Sequence, residues 1–324
     1  MVSRRDMLLT LATGAVALHR GATAVRGDED QAGFTPVDFS VPRGACDCHV
    51  HVFGDPRQFP LWTGRSYTPP PAPVEDARRL LRRLHMDRVV IVSASVYGTN
   101  NDCALDAIGQ LGSRARGVAN VAPDAPDSEL ARLQRGGIRG MRLNFETQGV
   151  TNPRDAVARF QLASARAAAM GWHLQVNTRL AIVEAIEELV PTASATVVFD
   201  HFAQADAALG VDQPGFAALV RMLESGRAYV KLSAAYRIST RAPDYPDVMP
   251  LAKALIAANP ARVLWGSDWP HPDAVRRPGR SPTDLAPPLA VDDGRMLNQL
   301  AVWAPNASIR RMILVENPTR LYGF

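Results

Sequence analysis

The chain has 324 residues, of which 47% are hydrophobic and 21% are charged, and its formal net charge is +4 at pH 7. A chain of this length and composition can bury a full core, which excludes disordered and fibrous classes. The basic residues form no run interleaved with aromatic side chains, so we expect no nucleic-acid partner.

The first 24 residues predict an export signal. Arg4 and Arg5 precede an apolar run that ends at Leu18, and residues 22–24 read Ala-Thr-Ala. A charged start, a short apolar run and an Ala-x-Ala exit are the parts of a signal peptide, and the paired arginines resemble the twin-arginine export signal. We expect cleavage after Ala24, a periplasmic mature protein, and no stable membrane span because the run is too short.

Residues 25–43 are polar and irregular, and we interpret them as a linker into a single domain of residues 44–324. In that domain, short β-rich runs alternate with longer helical patterns. The predicted strands are residues 45–52, 88–95, 116–122, 138–144, 172–177, 195–202, 228–234 and 261–269. Alternating strands and helices are typical of an α/β protein with a parallel sheet. Eight such units favour a closed (β/α)8 TIM barrel, and the glycine-rich turn of an open doubly wound sheet is missing.

The first predicted strand carries two histidines close together. If its side chains alternate regularly, Asp47, His49 and His51 share one face, and Cys46 and Cys48 share the other. Barrel chemistry lies at the C-terminal mouth of the strands. We therefore expect the histidines to face the barrel interior and the cysteines to pack outward as core, which argues against a Cys/His metal cluster.

Polar groups also end two later strands. His201 ends "VVFDH", and Asp268 lies in "LWGSDWPHP", with His271 just beyond it. Asp200 and His201 would point in opposite directions in a regular strand, and we expect His201 to point inward. An Asp at the C-terminal end of a barrel strand is a usual catalytic position. The predicted catalytic cluster is His49, His51, His201 and Asp268.

The sequence resembles the amidohydrolase superfamily, and most of all its 2-pyrone-4,6-dicarboxylate lactonase branch, in six segments: "CDCHVHVFGD", "VSASVYGTNN", "GIRGMRLNF", "VVFDHF", "VKLSAAYRIS" and "VLWGSDWPHP". The resemblance runs from about residue 42 to the end of the chain. It implies a TIM-barrel hydrolase that opens the lactone, or a similar ester, of a carboxylated small molecule. It also implies the same four catalytic residues.

The resemblance further implies residues that bind the substrate. These are Ser95, Tyr97, Tyr67, Arg237, and either Arg139 or Arg142. Because Arg139 and Arg142 are three apart, they face opposite sides of a strand, and we expect Arg142, nearer the mouth, to point inward. We add Asn177, at the end of the fifth predicted strand.

The four residues of the cluster could also hold zinc. Superfamily relatives that hold metal usually add a histidine at the end of strand five or a carboxylated lysine on strand four. Here strand five ends in Asn177, strand four has no lysine, and a neutral amide is a poor zinc ligand. The lactonase branch works without metal. We therefore favour a site without cofactor and keep a divalent metal such as zinc as the alternative.

The expected mechanism gives Asp268 the role of general base on water and then of general acid to the leaving oxygen. The histidines would polarise the carbonyl by hydrogen bonds to the developing oxyanion. Two other functions stay open: a metal-dependent decarboxylase of the same superfamily, and a non-catalytic periplasmic protein that binds organic acids.

Overall fold

The computed structural model describes residues 33–274 and 279–324. The predicted export signal and the first part of the predicted linker lie outside the described residues. Residues Phe34–Phe324 form one compact unit. In the described ranges no helix combines the length and the apolar character needed to cross a membrane.

Eight parallel strands pair in chain order and form the barrel. They are β1 (Cys46–Val50), β2 (Arg88–Val92), β3 (Ala115–Asn120), β4 (Ile138–Asn144), β5 (His173–Asn177), β6 (Val197–Phe199), β7 (Ala228–Ser233) and β8 (Val263–Gly266). The first and last strands meet where the Asp268 N–H donates to the His49 carbonyl at 2.9 Å and the His51 N–H donates to the Trp269 carbonyl at 2.8 Å. The predicted (β/α)8 barrel is confirmed.

Helices surround the strands. They are α1 (Val74–Arg83), α2 (Asp102–Leu111), α3 (Asp127–Arg135), α4 (Phe145–Gln148), α5 (Pro153–Ala169), α6 (Leu180–Ile186), α7 (Phe216–Glu224), α8 (Ala235–Ile238), α9 (Val248–Ala258), α10 (Asp293–Trp303), α11 (Ala307–Arg311) and α12 (Asn317–Tyr322). Helix α1 illustrates how the sequence favours a helix. Glu75 and Asp76 lie in its first turn, and Arg82 and Arg83 lie in its last turn. These charges oppose the helix dipole, while one apolar face packs on the barrel.

The lower half of the barrel interior is apolar. Its side chains come from six strands that surround the axis, and α12 adds one more from below: Cys46, Cys48, Val90, Val92, Val118, Val198, Tyr229, Leu264 and Tyr322. The ring of Tyr322 meets His173 edge-on at 5.1 Å between centroids. The barrel is therefore plugged at its base, and the buried charged groups described below lie above this plug.

The predicted orientation of the first strand is wrong in part, because Cys46 and Cys48 pack inside the barrel rather than outside it. The pairing of β1 with β2 shifts register between Asp47 and Val50. Such a bulge adds one residue and interrupts the alternation of side chains. Cys48 and His49 therefore both turn inward, while Asp47 accepts the Ser267 N–H at 3.0 Å.

The segment 34–43, which falls in the range predicted as a linker, is held against the domain by α10. The N–H and hydroxyl of Thr35 both donate to Asp292, which also accepts the Arg295 N–H as the N-cap of α10. A Cβ at Gly294 would lie 1.8 Å from the Thr35 carbonyl oxygen. Glycine at this position thus permits the close approach of the segment to the helix.

Candidate active site

A cavity of about 660 Å³ opens at the C-terminal mouth of the barrel. Its lining includes residues that lie in or just after the C-terminal parts of seven strands, together with a loop tyrosine: His51, Ser95, Arg142, Asn177, His201, Arg237, Asp268 and Tyr67. His49 lies fully buried at its floor, where it contacts Asp268. The structure thus brings together every predicted site residue except Tyr97.

Three imidazoles converge on one oxygen of Asp268. Asp268 Oδ1 lies 3.5 Å from His49 Nε2, 3.5 Å from His51 Nε2 and 3.8 Å from His201 Nε2. All four side chains are buried. Residues from β1 and from the ends of β6 and β8 therefore form a single polar centre.

The second oxygen of Asp268 is held by two donors that follow β7. Asp268 Oδ2 accepts from the Tyr236 hydroxyl at 2.6 Å and from Arg237 Nε at 2.8 Å. Burial opposes ionisation of Asp268, but Arg237 and the histidines hold its pKa well below the usual value. Asp268 is therefore a carboxylate, and Arg237, which we predicted to bind substrate, is already engaged with it.

Hydrogen bonds constrain where the protons of His51 and His201 lie. His51 Nδ1 is 2.8 Å from the Val92 carbonyl oxygen, which can only accept, so this nitrogen carries the proton. His49 Nδ1 lies 3.3 Å from Asp200 Oδ1, an acceptor, and 3.3 Å from Lys231 Nζ, a donor, so its contacts are compatible with either tautomer. His201 Nδ1 faces the Ser233 hydroxyl at 2.8 Å. Since a hydroxyl can donate or accept, the neutral form of His201 can present an Nε2–H to the cavity.

Burial keeps two of these imidazoles neutral. It lowers the pKa of His49 well below its usual value, with Lys231 adding to the effect against Asp200. It also lowers the pKa of His201 to about 4, against the raising effects of Asp268 and Asp200. At neutral pH the Asp268 carboxylate therefore lies between two uncharged rings, those of His49 and His201.

A buried ion network lies directly beneath this centre. Asp200 lies 3.3 Å from Lys231 Nζ and 3.4 Å from an Arg142 nitrogen, and it accepts from Gln175 at 3.0 Å. Burial opposes ionisation of Asp200, but Lys231, His49 and Arg142 hold its pKa well below the usual value. Lys231 is 0% exposed and donates to Gln175 Oε1 at 2.6 Å.

The sequence reasoning missed Asp200, Lys231 and Tyr236. We expected only one of Asp200 and His201 to point inward, but both do, because His201 has φ +51 and starts a left-handed stretch that breaks the alternation. Lys231 could have been found from its position, since it is one of two lysines in the chain and lies within a strand. Tyr236 had no signal beyond its place beside Arg237.

The other predicted binding residues occupy different parts of the mouth. Arg142 is buried, and its Nε has no hydrogen-bond partner among the described residues. Arg139, in contrast, points outward to the Gln134 and Ile138 carbonyls. Asn177 donates to Asn144 and accepts from Gln204. Burial raises the pKa of Tyr67, which lies by Ser95, to about 12.

Tyr97 stands apart from the others. Its hydroxyl accepts the Gly54 N–H at 3.1 Å, and its ring lines a neighbouring cavity rather than the one that holds Asp268. Burial raises its pKa above the usual range, so the hydroxyl stays protonated.

The central cluster can hold a metal ion. His49, His201 and Asp268 each offer one ligand atom, and these atoms lie within 4.8 Å of one another. His49 Nε2 and Asp268 Oδ1 are both buried without a hydrogen-bond partner in the described structure. In a tetrahedral site with ligands at about 2.1 Å, neighbouring ligand atoms lie about 3.4 Å apart. The observed separations and the orphaned lone pairs therefore fit a divalent metal, with His51 in reach as a further ligand.

Comparisons with known proteins agree with this architecture. The amidohydrolase family model matches residues 46–324. The 4-sulfomuconolactone hydrolase of Rhizobium radiobacter is 35% identical over 293 residues, which cover 90% of this chain and 94% of that protein. The 2-pyrone-4,6-dicarboxylate hydrolase of Comamonas testosteroni is 34% identical over 294 residues, which cover 88% and 92%. The apo crystal structure of Agrobacterium tumefaciens ATU3138 has a TM-score of 0.74 at 26% identity, with 91% and 98% covered.

Proposed function

The chain belongs to the amidohydrolase family, and we propose that it is a hydrolase that opens the ring of a lactone carrying an anionic group. The observation that carries this proposal is the Asp268 carboxylate, ringed by three imidazoles at the floor of a cavity into which Arg142 also faces. Two relatives with similar coverage are named as hydrolases of a sulfonated and of a dicarboxylated lactone. Their substrates share a cyclic ester and an acidic substituent.

Asp268 is the group placed to move the proton. Its Oδ1 takes a proton from water, the oxygen of that water bonds to the lactone carbonyl carbon, and the ring C–O bond then breaks. Asp268 returns the proton to the departing ring oxygen. Tyr236 and Arg237 hold Oδ2 throughout, which fixes the carboxylate and keeps it ionised.

The carbonyl oxygen of the lactone needs a hydrogen-bond donor, because negative charge develops on it in the transition state. His201 can donate from Nε2 when the Ser233 hydroxyl donates to its Nδ1. His51 cannot do so in its neutral form, because its proton is committed to the Val92 carbonyl. His49 is fully buried and does not line the cavity, so the expectation that the whole histidine cluster donates to the oxyanion narrows to His201.

The geometry of this centre also favours a metal over the metal-free site that the sequence led us to prefer. The ligands would be His49, His51, His201 and Asp268, and a divalent ion such as zinc would supply an electrophile and lower the pKa of water at the site. With His201 Nε2 as a ligand, His201 would no longer donate to the carbonyl oxygen, so the two roles of this histidine are alternatives. The support is the pair of orphaned atoms, His49 Nε2 and Asp268 Oδ1.

Arg142 is placed to bind the acidic substituent. Its guanidinium lines the cavity, and its Nε has no partner among the described residues. A guanidinium pairs with a carboxylate or sulfonate through two parallel hydrogen bonds. The substrate would thus lie with its carbonyl at His201 and its anionic group at Arg142.

The decisive experiment is a panel of carboxylated and sulfonated lactones followed by proton release. It is run with and without chelator, and metal content is measured on the same sample. Turnover that chelator abolishes and zinc restores supports both proposals, and full activity of metal-free protein overturns the metal. Carbon dioxide release without lactone turnover would favour the decarboxylase, and ligand binding without any turnover would favour the binding protein.

We also propose that the protein is exported to the periplasm. The support is the sequence pattern alone, with Arg4 and Arg5 before a short apolar run and an Ala-x-Ala exit. Replacing both arginines with lysine should retain the precursor in the cytoplasm when cell fractions are compared. Equal periplasmic yield from the two forms would contradict this route.

A further inference from the structure

A second cavity, of about 910 Å³, adjoins the catalytic one. Both are lined by Ser66, Ser95, Arg142, Asn144 and Thr147. A benzene-sized ring fits in a space of about 150 Å³, so a small monocyclic lactone bound at Asp268 leaves this side cavity unfilled. The two cavities therefore adjoin, and Arg142 lines both of them.

The side cavity has large apolar side chains in its lining. Trp62, on the loop before Tyr67, and Leu162, on α5, both line it, and their exposed fractions are 53% and 58%. Exposed large apolar side chains that line one cavity are typical of binding surfaces. The lining also includes Met141 and Leu143 of β4.

Trp62 is exposed but held in place. A Cβ at Gly64 would lie 2.5 Å from its ring, and a Cβ at Gly98 would lie 3.0 Å from it, so the indole rests against two residues without side chains. The backbone N–H of Trp62 donates to the Val96 carbonyl at 2.8 Å, which anchors the main chain that carries the ring. An aromatic ring fixed in this way can stack on a ligand with little loss of side-chain entropy.

The charges of the side cavity are of one sign. Its ionisable lining comprises Arg65, Tyr97, Arg142, Arg159 and Arg166, and no carboxylate of the described residues lines it. Arg65, Arg159 and Arg166 donate to neutral acceptors: Thr68, the Gln148 amide and backbone carbonyls. An anionic group that entered the cavity would therefore find guanidinium groups that are not neutralised by acids of the described chain.

We propose that the side cavity is a second substrate subsite, which binds an aromatic or extended apolar arm that carries its own acidic group. The proposal rests on the proposed function and specifies its substrate class. The lactone ring lies at Asp268, the arm passes Arg142 and lies between Trp62 and Leu162, and its acid faces the arginines. The lining shared by the two cavities, the exposed apolar side chains and the arginines without acidic partners in the lining all favour this occupant.

The test compares two probes, a carboxylated γ-lactone and the same lactone with a 4-carboxyphenyl substituent. The ratio of their kcat/KM values is measured for the wild type, Trp62→Ala and Leu162→Asp. We expect the wild type to prefer the arm-bearing lactone. Each variant should lower the ratio about 5- to 10-fold through KM, because a stacking or apolar contact is lost and a carboxylate introduced on α5 would repel the acid. Leu209→Asp, at a position that is 62% exposed and lines neither cavity, is the matched control and should leave the ratio unchanged.

Equilibrium binding of both probes to Asp268→Asn separates the two proposals. Tighter binding of the arm-bearing probe that depends on Leu162, with no turnover by the wild type, would leave the subsite standing while lactone hydrolysis fails. Turnover of both lactones with no preference for the arm, or a preference that survives both variants, overturns the subsite and leaves hydrolysis in place. Absence of binding by the arm-bearing probe also overturns the subsite.

Discussion

The lower and upper halves of the barrel interior differ in polarity. The lower half holds an apolar cluster closed by Tyr322. The upper half holds a buried lysine, two buried carboxylates and three imidazoles, and Asp268, His201 and Ala234 at its mouth have positive φ values. Backbone strain and buried charge both cost stability. The apolar base and the helical layer therefore stabilise a mouth that carries strained backbone and buried charge.

The largest effect should come from Asp268→Asn. The change removes the base but suits the backbone, because Asn tolerates the left-handed conformation that Asp268 adopts at φ +64. We expect kcat/KM for lactone hydrolysis to fall by about 10³-fold, with the melting temperature kept near that of the wild type. Measurable turnover close to the wild-type rate would remove Asp268 from the mechanism.

Lys231→Met tests whether the buried network is costly to break. The lysine is fully buried and pairs with Asp200, so its removal leaves a carboxylate short of a partner. We expect a loss of about 3 kcal/mol in the free energy of unfolding, measured by denaturant titration. Lys253→Met, at the only other lysine and exposed on α9, is the matched control and should change little. Equal stability of the two variants would contradict the role of the network.

His173→Phe tests the lower half alone. Burial, helped by the charge of Lys231, lowers the pKa of His173 to about 3, while the ordinary value in the unfolded chain is about 6.5. The unfolded state therefore binds more protons between these values, so stability is full above about pH 6.5 and falls as the pH is lowered toward 3.

Replacing His173 with Phe should remove about 3 kcal/mol of the loss in stability between pH 7 and pH 4, by the same linkage. Unfolding titrations across this range provide the measurement. Activity at pH 7 should change little, since His173 lies on Tyr322 and not at the cavity. An unchanged slope would show that His173 is not held neutral by the fold.

The smallest effect should come from Tyr236→Phe, which removes one of the two donors to Asp268 Oδ2. Loss of this donor raises the pKa of Asp268, and because the reaction needs the carboxylate, the acid limb of the kcat/KM profile should move to higher pH. We expect a fall in kcat of about 10-fold. An acid limb that stays in place would mean that Arg237 alone sets the ionisation of Asp268.

The fold could be predicted because it depends on local patterns that repeat. Eight apolar runs separated by helical segments specify a barrel whichever face each residue takes. The orientation of single residues could not be predicted in the same way, because one inserted residue reverses it. The bulge in β1 turned Cys48 inward beside His49, and the left-handed stretch after β6 turned both Asp200 and His201 inward.

The family, the barrel and the residue types at the mouth could be predicted from the amino-acid sequence alone, because the spacing of His49, His51, His201 and Asp268 at strand ends does not depend on small changes of geometry. The contacts that these groups make became visible in the folded structure. It committed Arg237 to Asp268, placed Lys231 beneath His49 and opened a second cavity beside Arg142. The physical reason is that ion pairs, tautomers and cavities depend on distances between strands that are far apart in the chain.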